Sequence, residues 1–304
     1  MGPGHAHGLT ATGRHRGRLT IVVAITASIA AAEVAGAVVS GSLVLLADAA
    51  HMAADAAGVG LSLLAAHMAA RPATGRRTFG YARAEILAAT VNALLLLALA
   101  AFILTEAARR IGAPPAVGSG LMIVFGIIAL GGNGTSLLLL RRGQADSLNV
   151  RGAFLEVASD TFGAAAVIIS GMLIATTGFT LADPIASILV AALILPRTWR
   201  LLREAVDVLL EASPRGVDLA EVRAHLTAVQ GVRDVHDLHA WTITSGLPVL
   251  SAHIVVDRDV LAGGHSPGIL DQLQECLRGH FDVAHSTFQL EPAGHADHEP
   301  SVHE

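Results

Sequence analysis

Six long apolar runs restrict this chain to essentially one kind of fold. They lie at about 19–39, 43–69, 84–108, 117–140, 149–177 and 181–199, rich in Leu, Ala and Val. Most are near or above the roughly 20 residues that a helix needs to cross a bilayer. A composition of 53% hydrophobic against 15% charged residues agrees with a polytopic membrane protein. Near Arg200 to Arg203 the pattern changes: charge rises and the apolar runs shrink to strand length. We divide the chain into an N-terminal tail, 1–18, a six-helix membrane domain, 19–200, a soluble domain, 201–292, and a polar, disordered, His-containing tail, 293–304.

All 20 basic residues are arginine, and their placement sets the expected orientation. One group holds Arg14, Arg16, Arg18, Arg71, Arg76, Arg77, Arg83, Arg141, Arg142, Arg151, Arg197, Arg200 and Arg203, whereas only Arg109 and Arg110 flank the other side. By the positive-inside rule both termini and the soluble domain face the cytoplasm of a multi-pass cell-membrane protein. The N-terminus lacks a cleavage signal, so the first apolar run reads as a retained span. One cysteine, Cys276, excludes an internal disulfide or a CxxC site, and a net charge of -5 gives no case for nucleic acid.

The soluble segment alternates in period. VDLAEVRAHLTAV is helical, RDVHDLHAWTI and LPVLSAHIVVD are strands around a Ser-Gly turn, SPGILDQLQECLRGH is a second helix and AHSTFQLE a third strand. Helix, strand, strand, helix, strand predicts an α+β sandwich with helices on one sheet face. Between spans 1 and 2 only Ser40, Gly41 and Ser42 intervene, which predicts a tight hairpin. Asp183 and Pro184 open span 6, with Asp183 expected to cap it.

The chemistry sits inside the spans. His51 and Asp55 in span 2, and Glu156 and Asp160 in span 5, are each four positions apart. Such pairs share one helix face, roughly 6 Å apart at Cβ. An ionisable group at mid-bilayer costs on the order of 3 kcal/mol, so four together imply a built site. The plainer reading of each pair is a polar contact between helices, but that role usually falls to Ser, Thr or Asn. For Glu156 and Asp160 it would be an ion pair with Arg151 or with another span. Two acidic faces meeting in lipid need neutralising, and a dication does so directly. Three carboxylates and an imidazole suit zinc, with manganese, iron and cobalt open because oxygen ligands are harder.

Asp48 shares the His51 face as a supporting group or proton site. Asn92 reads as helix glue, Glu33 as a deeper polar contact, and Glu85 and Glu106 as groups near helix ends. In the soluble domain His236, His239, His253 and His285 are candidate ligands, although strand alternation turns His236 and His239 to opposite faces unless the strand bends. His295, His298 and His303 form a polar tail able to hold metal weakly.

The stretches SLVLLADAAHMAADA, FGYARAEILAATVN, NVRGAFLEVASDTFG, VHDLHAWTITSGLPVLSAHIVV and HSTFQLE together resemble the cation diffusion facilitator family, especially its bacterial zinc-exporting branch. The resemblance covers nearly the whole chain. It implies six transmembrane helices, a cytoplasmic ferredoxin-like domain, a homodimer, and efflux of a divalent metal cation, zinc foremost, driven by inward proton movement. No prosthetic group is implied; metal is substrate and protons are the counter-ion. The transport site would be His51, Asp55, Glu156 and Asp160, and His236, His253 and His285 match positions that bind regulatory zinc in relatives. The zinc branch usually has His where this chain has Glu156, a change that keeps a ligand but adds charge and hardness. An exporter of manganese, iron or cobalt is therefore the alternative within the fold. From other classes, a membrane metalloenzyme would need HExxH or repeated HxxxH boxes, absent from the spans, and a membrane-anchored metal sensor would not need four ionisable groups inside them.

Overall fold

The computed structural model describes residues 7–141, 148–283 and 285–295. His298 and His303 of the polar tail lie outside the described residues. Six helices carry the apolar runs: α1 (His7–Ser40), α2 (Leu43–Ala69), α3 (Ala84–Gly112), α4 (Ser119–Leu140), α5 (Leu148–Thr177) and α6 (Ala182–Leu209). All six are long and apolar enough to span a membrane. Two reach beyond the predicted runs. α1 begins at His7, and α6 continues from the expected end at 199 to Leu209, because RLLREAVDVL keeps a helical period after its composition turns polar.

The described chain divides into two compact units, residues 1–62 with 91–202, and residues 63–90 with 203–304. In the first unit α4 packs along α5 and α1. Its buried stripe, Met122, Gly126, Ala129, Asn133, Ser136 and Leu140, repeats every three or four residues and is mostly small, which lets helix axes approach closely. Leu138, Phe162 and Leu193 point outward and are exposed, as side chains facing lipid are. The hydrophobic core between helices gathers Val44, Leu45, Ile103, Met122, Val167 and Ala191.

The expectation that Asp183 caps its own helix is corrected. α6 begins one residue earlier, at Ala182, and the fully buried Asp183 carboxylate instead caps the start of α2. It accepts hydrogen bonds from Ser42 Oγ at 2.6 Å and from the Leu43 and Val44 amides at 2.9 and 3.3 Å. Those amides belong to the orphan donors at a helix N-terminus, where a carboxylate is electrostatically favoured. Arg110 Nη1 joins the cluster 3.5 Å from Asp183.

In the second unit α7 (Leu219–Thr227), β1 (Val232–Thr242), β2 (Pro248–Val256), α8 (Arg258–Ala262), α9 (Ser266–Phe281) and β3 (His285–Pro292) follow in order. This is the predicted α+β ferredoxin-like plan with one addition, the five-residue α8, too short to carry a periodic signal. β2 lies central in the sheet, antiparallel to β1 and parallel to β3. Asp218 caps α7 by accepting from the Ala220 amide at 2.8 Å. Ile269, Leu273 and Leu277 of α9 meet Val222 and Leu226 of α7 and Leu250 and Ile254 of β2 in one core. The segment after α2 folds with this unit. Arg83 pairs with Glu211 at 2.6 Å, Glu85 accepts from Thr244 and Ser245, and Phe79 meets the His285 ring edge-on.

Candidate metal centre

The ionisable residues of α2 and α5 approach one another between the helices. His51 Nε2 lies 3.5 Å from Asp55 Oδ2 along its own helix and 4.0 Å from Asp160 Oδ1 across on α5. Ligand atoms of His51, Asp55 and Glu156 all fall within 4.8 Å of one another. His51, Asp55 and Glu156 therefore converge between the two helices, and Asp160 borders them through His51.

Burial there is deep and polar satisfaction is incomplete. Asp160 is 3% and His51 8% exposed, and among the described residues Asp160 Oδ1 and His51 Nδ1 have no hydrogen-bond partner. Buried polar atoms in a native fold nearly always find partners, and a charged pair left short is costly. Asp160 Oδ1, buried and 4.0 Å from His51 Nε2, is an oxygen of the right chemistry for an incoming dication.

Two more buried carboxylates continue the polar track on the far side of His51. Asp48 and Glu33 are each 1% exposed and face one another, and among the described residues no donor reaches Asp48 Oδ2 or either Glu33 oxygen. Asp48 faces α5 at a point where only glycine fits. A Cβ on Gly163 would stand 2.3 Å from Asp48 Oδ1. Asn92 on α3 packs on α2 in the same manner, its side-chain nitrogen 2.6 Å from where a Gly58 Cβ would be, so it braces the helix one turn beyond Asp55.

One further side chain, not among the site residues read from the sequence, meets Glu156. Arg197 on α6 places Nη1 2.8 Å from Glu156 Oε1 and 2.7 Å from Oε2. In the sequence this arginine reads as one more positive charge fixing orientation. Its position just after Pro196, inside a helix that does not stop there, is the one local signal that sets it apart. The pair offsets the charge that Glu156 adds, so the site carries three acids, one imidazole and one guanidinium.

In the second unit the sheet gathers a smaller cluster. His236 Nε2 is 2.5 Å from Glu291 Oε1, and His253 Nδ1 is 3.6 Å from Glu291 Oε2, with the two rings in edge contact. Ligand atoms of the three lie within 4.8 Å. The alternation expected to part His236 from His239 fails because β1 is bulged. His236 pairs with His253 and His239 with Ser251, and the extra residue takes a left-handed turn at Asp237, φ 47°. Both histidines thus share a face, and Asp237 bridges His239 at 2.9 Å and His253 at 3.6 Å. His285 stands apart: it pairs with Val249, four residues along β2 from His253, about 13 Å at strand rise. Glu291, buried at the end of β3, stands beside His236 and His253 where the resemblance implies His285. The free Cys276 on α9 is partly buried, which pushes its thiol up.

Six membrane-length helices, with His51, Asp55 and Glu156 drawn together between two of them, define a polytopic membrane protein with a cluster of ionisable side chains inside its spans. The chain matches the cation efflux transmembrane domain over residues 19–210 and the cytoplasmic domain of cation efflux proteins over 214–293. It belongs to the cation efflux family, the cation diffusion facilitators that the sequence resembles. Among its relatives, the metal cation efflux system protein CzcD of Cupriavidus metallidurans is 43% identical over 98% of this chain and 93% of that protein. The zinc transporter ZitB of Escherichia coli is 40% identical over 90% and 87%, and the cadmium, cobalt and zinc/H(+)-K(+) antiporter of Bacillus subtilis 37% over 86% and 85%. A solved structure of the metal-bound C-terminal domain of CzcD is 41% identical and covers 25% of this chain and 99% of that chain, with a TM-score of 0.23.

Proposed function

We propose that this protein exports a divalent metal cation, zinc foremost, in exchange for protons, with His51, Asp55, Glu156 and Asp160 as the transport site. The observation that carries the reading is the convergence of His51, Asp55 and Glu156 between α2 and α5, bordered by the buried Asp160. The relatives named for metal efflux, zinc transport and antiport agree with it.

The mechanism follows from the ligands. A cation entering from the cytoplasm binds deprotonated ligands, so its arrival expels protons from His51 and the acids. Reorientation of the helices exposes the site to the other face, where reprotonation releases the ion. Ligand and proton carrier are the same atoms, which makes the exchange obligatory. Asp48 supports the site as a proton-holding neighbour. Arg197 holds Glu156 when no cation is present and yields that carboxylate to an arriving one.

Glu156 supports a second reading within the fold, export of manganese, iron or cobalt, because a carboxylate is a harder ligand than the imidazole it replaces. The remaining assignments complete the proposal: both termini in the cytoplasm, residues 201–292 as a regulatory and dimerisation domain of a homodimer, and His236, His253 and Glu291, with His239 on the same face, as a regulatory metal site. Uptake of labelled zinc into inverted vesicles under a pH gradient tests the reading. Zinc accumulation that collapses with the gradient is expected. A vesicle that binds zinc without accumulating it contradicts transport and favours the sensor or enzyme alternatives.

A further inference from the structure

Apart from the two clusters above, a third group of ligand-bearing side chains lies on the helical layer of the cytoplasmic domain. Cys276 and His280 are one turn apart on α9, and His225 reaches them from the last turn of α7. Cys276 Sγ is 4.0 Å from His225 Nδ1, the His225 and His280 rings are 4.7 Å apart, and ligand atoms of all three lie within 4.8 Å. We propose that His225, Cys276 and His280 form a separate thiolate-containing site for a borderline-soft divalent cation of the zinc and cadmium class, tying α7 to α9.

Geometry separates it from the strand cluster. Along β2, Ala252, Ile254 and Val256 are buried in the core shared with α7 and α9, whereas His253 between them is only half-buried and faces the other way. The two clusters therefore occupy opposite sides of the sheet.

The arrangement is close to what a tetrahedral ion requires. Metal bonds of about 2.3 Å to sulfur and about 2.0–2.1 Å to nitrogen put ligand atoms roughly 3.3–3.6 Å apart. Closing from 4.8 Å asks for about 1 Å of side-chain movement, and His280 is exposed and free to supply it. The rings are already oriented: His280 Nδ1 lies 3.0 Å from the Cys276 carbonyl oxygen, and Phe281 packs edge-on against His225. Behind them Leu226, Leu273 and Leu277 are fully buried, so the two helices form a fixed frame. Three ligands leave the fourth position to water.

The donor set decides the ion class. One sulfur and two imidazoles suit zinc, cadmium and cobalt(II) and disfavour the oxygen-seeking magnesium and manganese. Binding is a simple exchange in which the thiol proton leaves to solvent as the sulfur–metal bond forms.

The chain has a single cysteine, which makes the test direct. Cobalt(II) is titrated into the purified full-length protein in detergent, and the near-ultraviolet thiolate-to-cobalt charge-transfer band is recorded. The band is expected to saturate as cobalt is added, to be lost in Cys276→Ser, and to be retained in Asp55→Ala and His253→Ala. His225→Ala and the exposed His280→Ala are each expected to weaken the band-forming affinity by at least about tenfold. Absence of the band at saturating cobalt overturns the proposal. So does a band whose affinity is unchanged when both histidines are replaced, since the thiol then captures metal without a site.

Discussion

Replacing Arg197 by Gln is expected to tighten metal binding at the membrane site. Arg197 Nη1 contacts both Glu156 oxygens at 2.7–2.8 Å, so an entering cation competes with a guanidinium for that carboxylate. The size of that competition follows from exposure. The Arg197 side chain is 66% exposed and that of Glu156 27%, so solvent screens the pair and it is worth about 0.5–1 kcal/mol rather than the several expected of a buried one. Releasing Glu156 should then lower the zinc dissociation constant about 2–5-fold. Slower release should accompany it, lowering turnover at saturating metal. Isothermal titration of zinc into the purified protein at fixed pH measures the first effect, and metal flux in proteoliposomes the second. Arg200→Gln, an exposed arginine one turn further along the same helix, is the control for net charge. Unchanged or weaker zinc binding in Arg197→Gln, with Arg200→Gln at the wild-type value, would refute the idea that the guanidinium competes for the site.

Three further outcomes are expected. Gly163→Ala puts a methyl group 2.3 Å from Asp48 Oδ1 in a filled interior, an overpacking cost of about 1–3 kcal/mol, and should depress transport; Gly152→Ala on the same helix, with nothing within 4 Å, should not. Asp183→Ala leaves Ser42 and the first amides of α2 without their acceptor, a loss of about 1–3 kcal/mol read as a lower apparent unfolding temperature with zinc stoichiometry unchanged. Glu156→His should move a competition among zinc, manganese, cobalt, iron and cadmium toward zinc and away from manganese, and an unmoved preference contradicts the hardness argument.

The spans and the ligand pairs were legible in the sequence because both are periodic local signals. Apolar length marks a membrane helix, and the i, i+4 spacing of His51 with Asp55 brings their side chains within 3.5 Å. The contacts that the sequence concealed are those that join distant elements. Asp183 has every local mark of its own helix cap, yet the two-residue turn before α2 delivers three donors to it from 139–141 residues away. Arg197 lies 41 residues from Glu156, and no pattern links them. The β1 bulge depends on a left-handed Asp237, a conformation open to Asp but not announced by it. That bulge turns two histidines to one face. Glu291 was passed over because a single acid at a strand end looks like ordinary surface, whereas in the fold it is 2% exposed between two imidazoles.

The central claim is that the same side chains between α2 and α5 bind the metal and carry the protons. Metal-driven proton flux in proteoliposomes, read with an internal pH dye for wild type, Asp55→Ala and Asp160→Ala, tests it most directly. The account predicts zinc-dependent flux in wild type and none in either variant, with both variants reconstituted at wild-type levels. Normal flux in either one would contradict it.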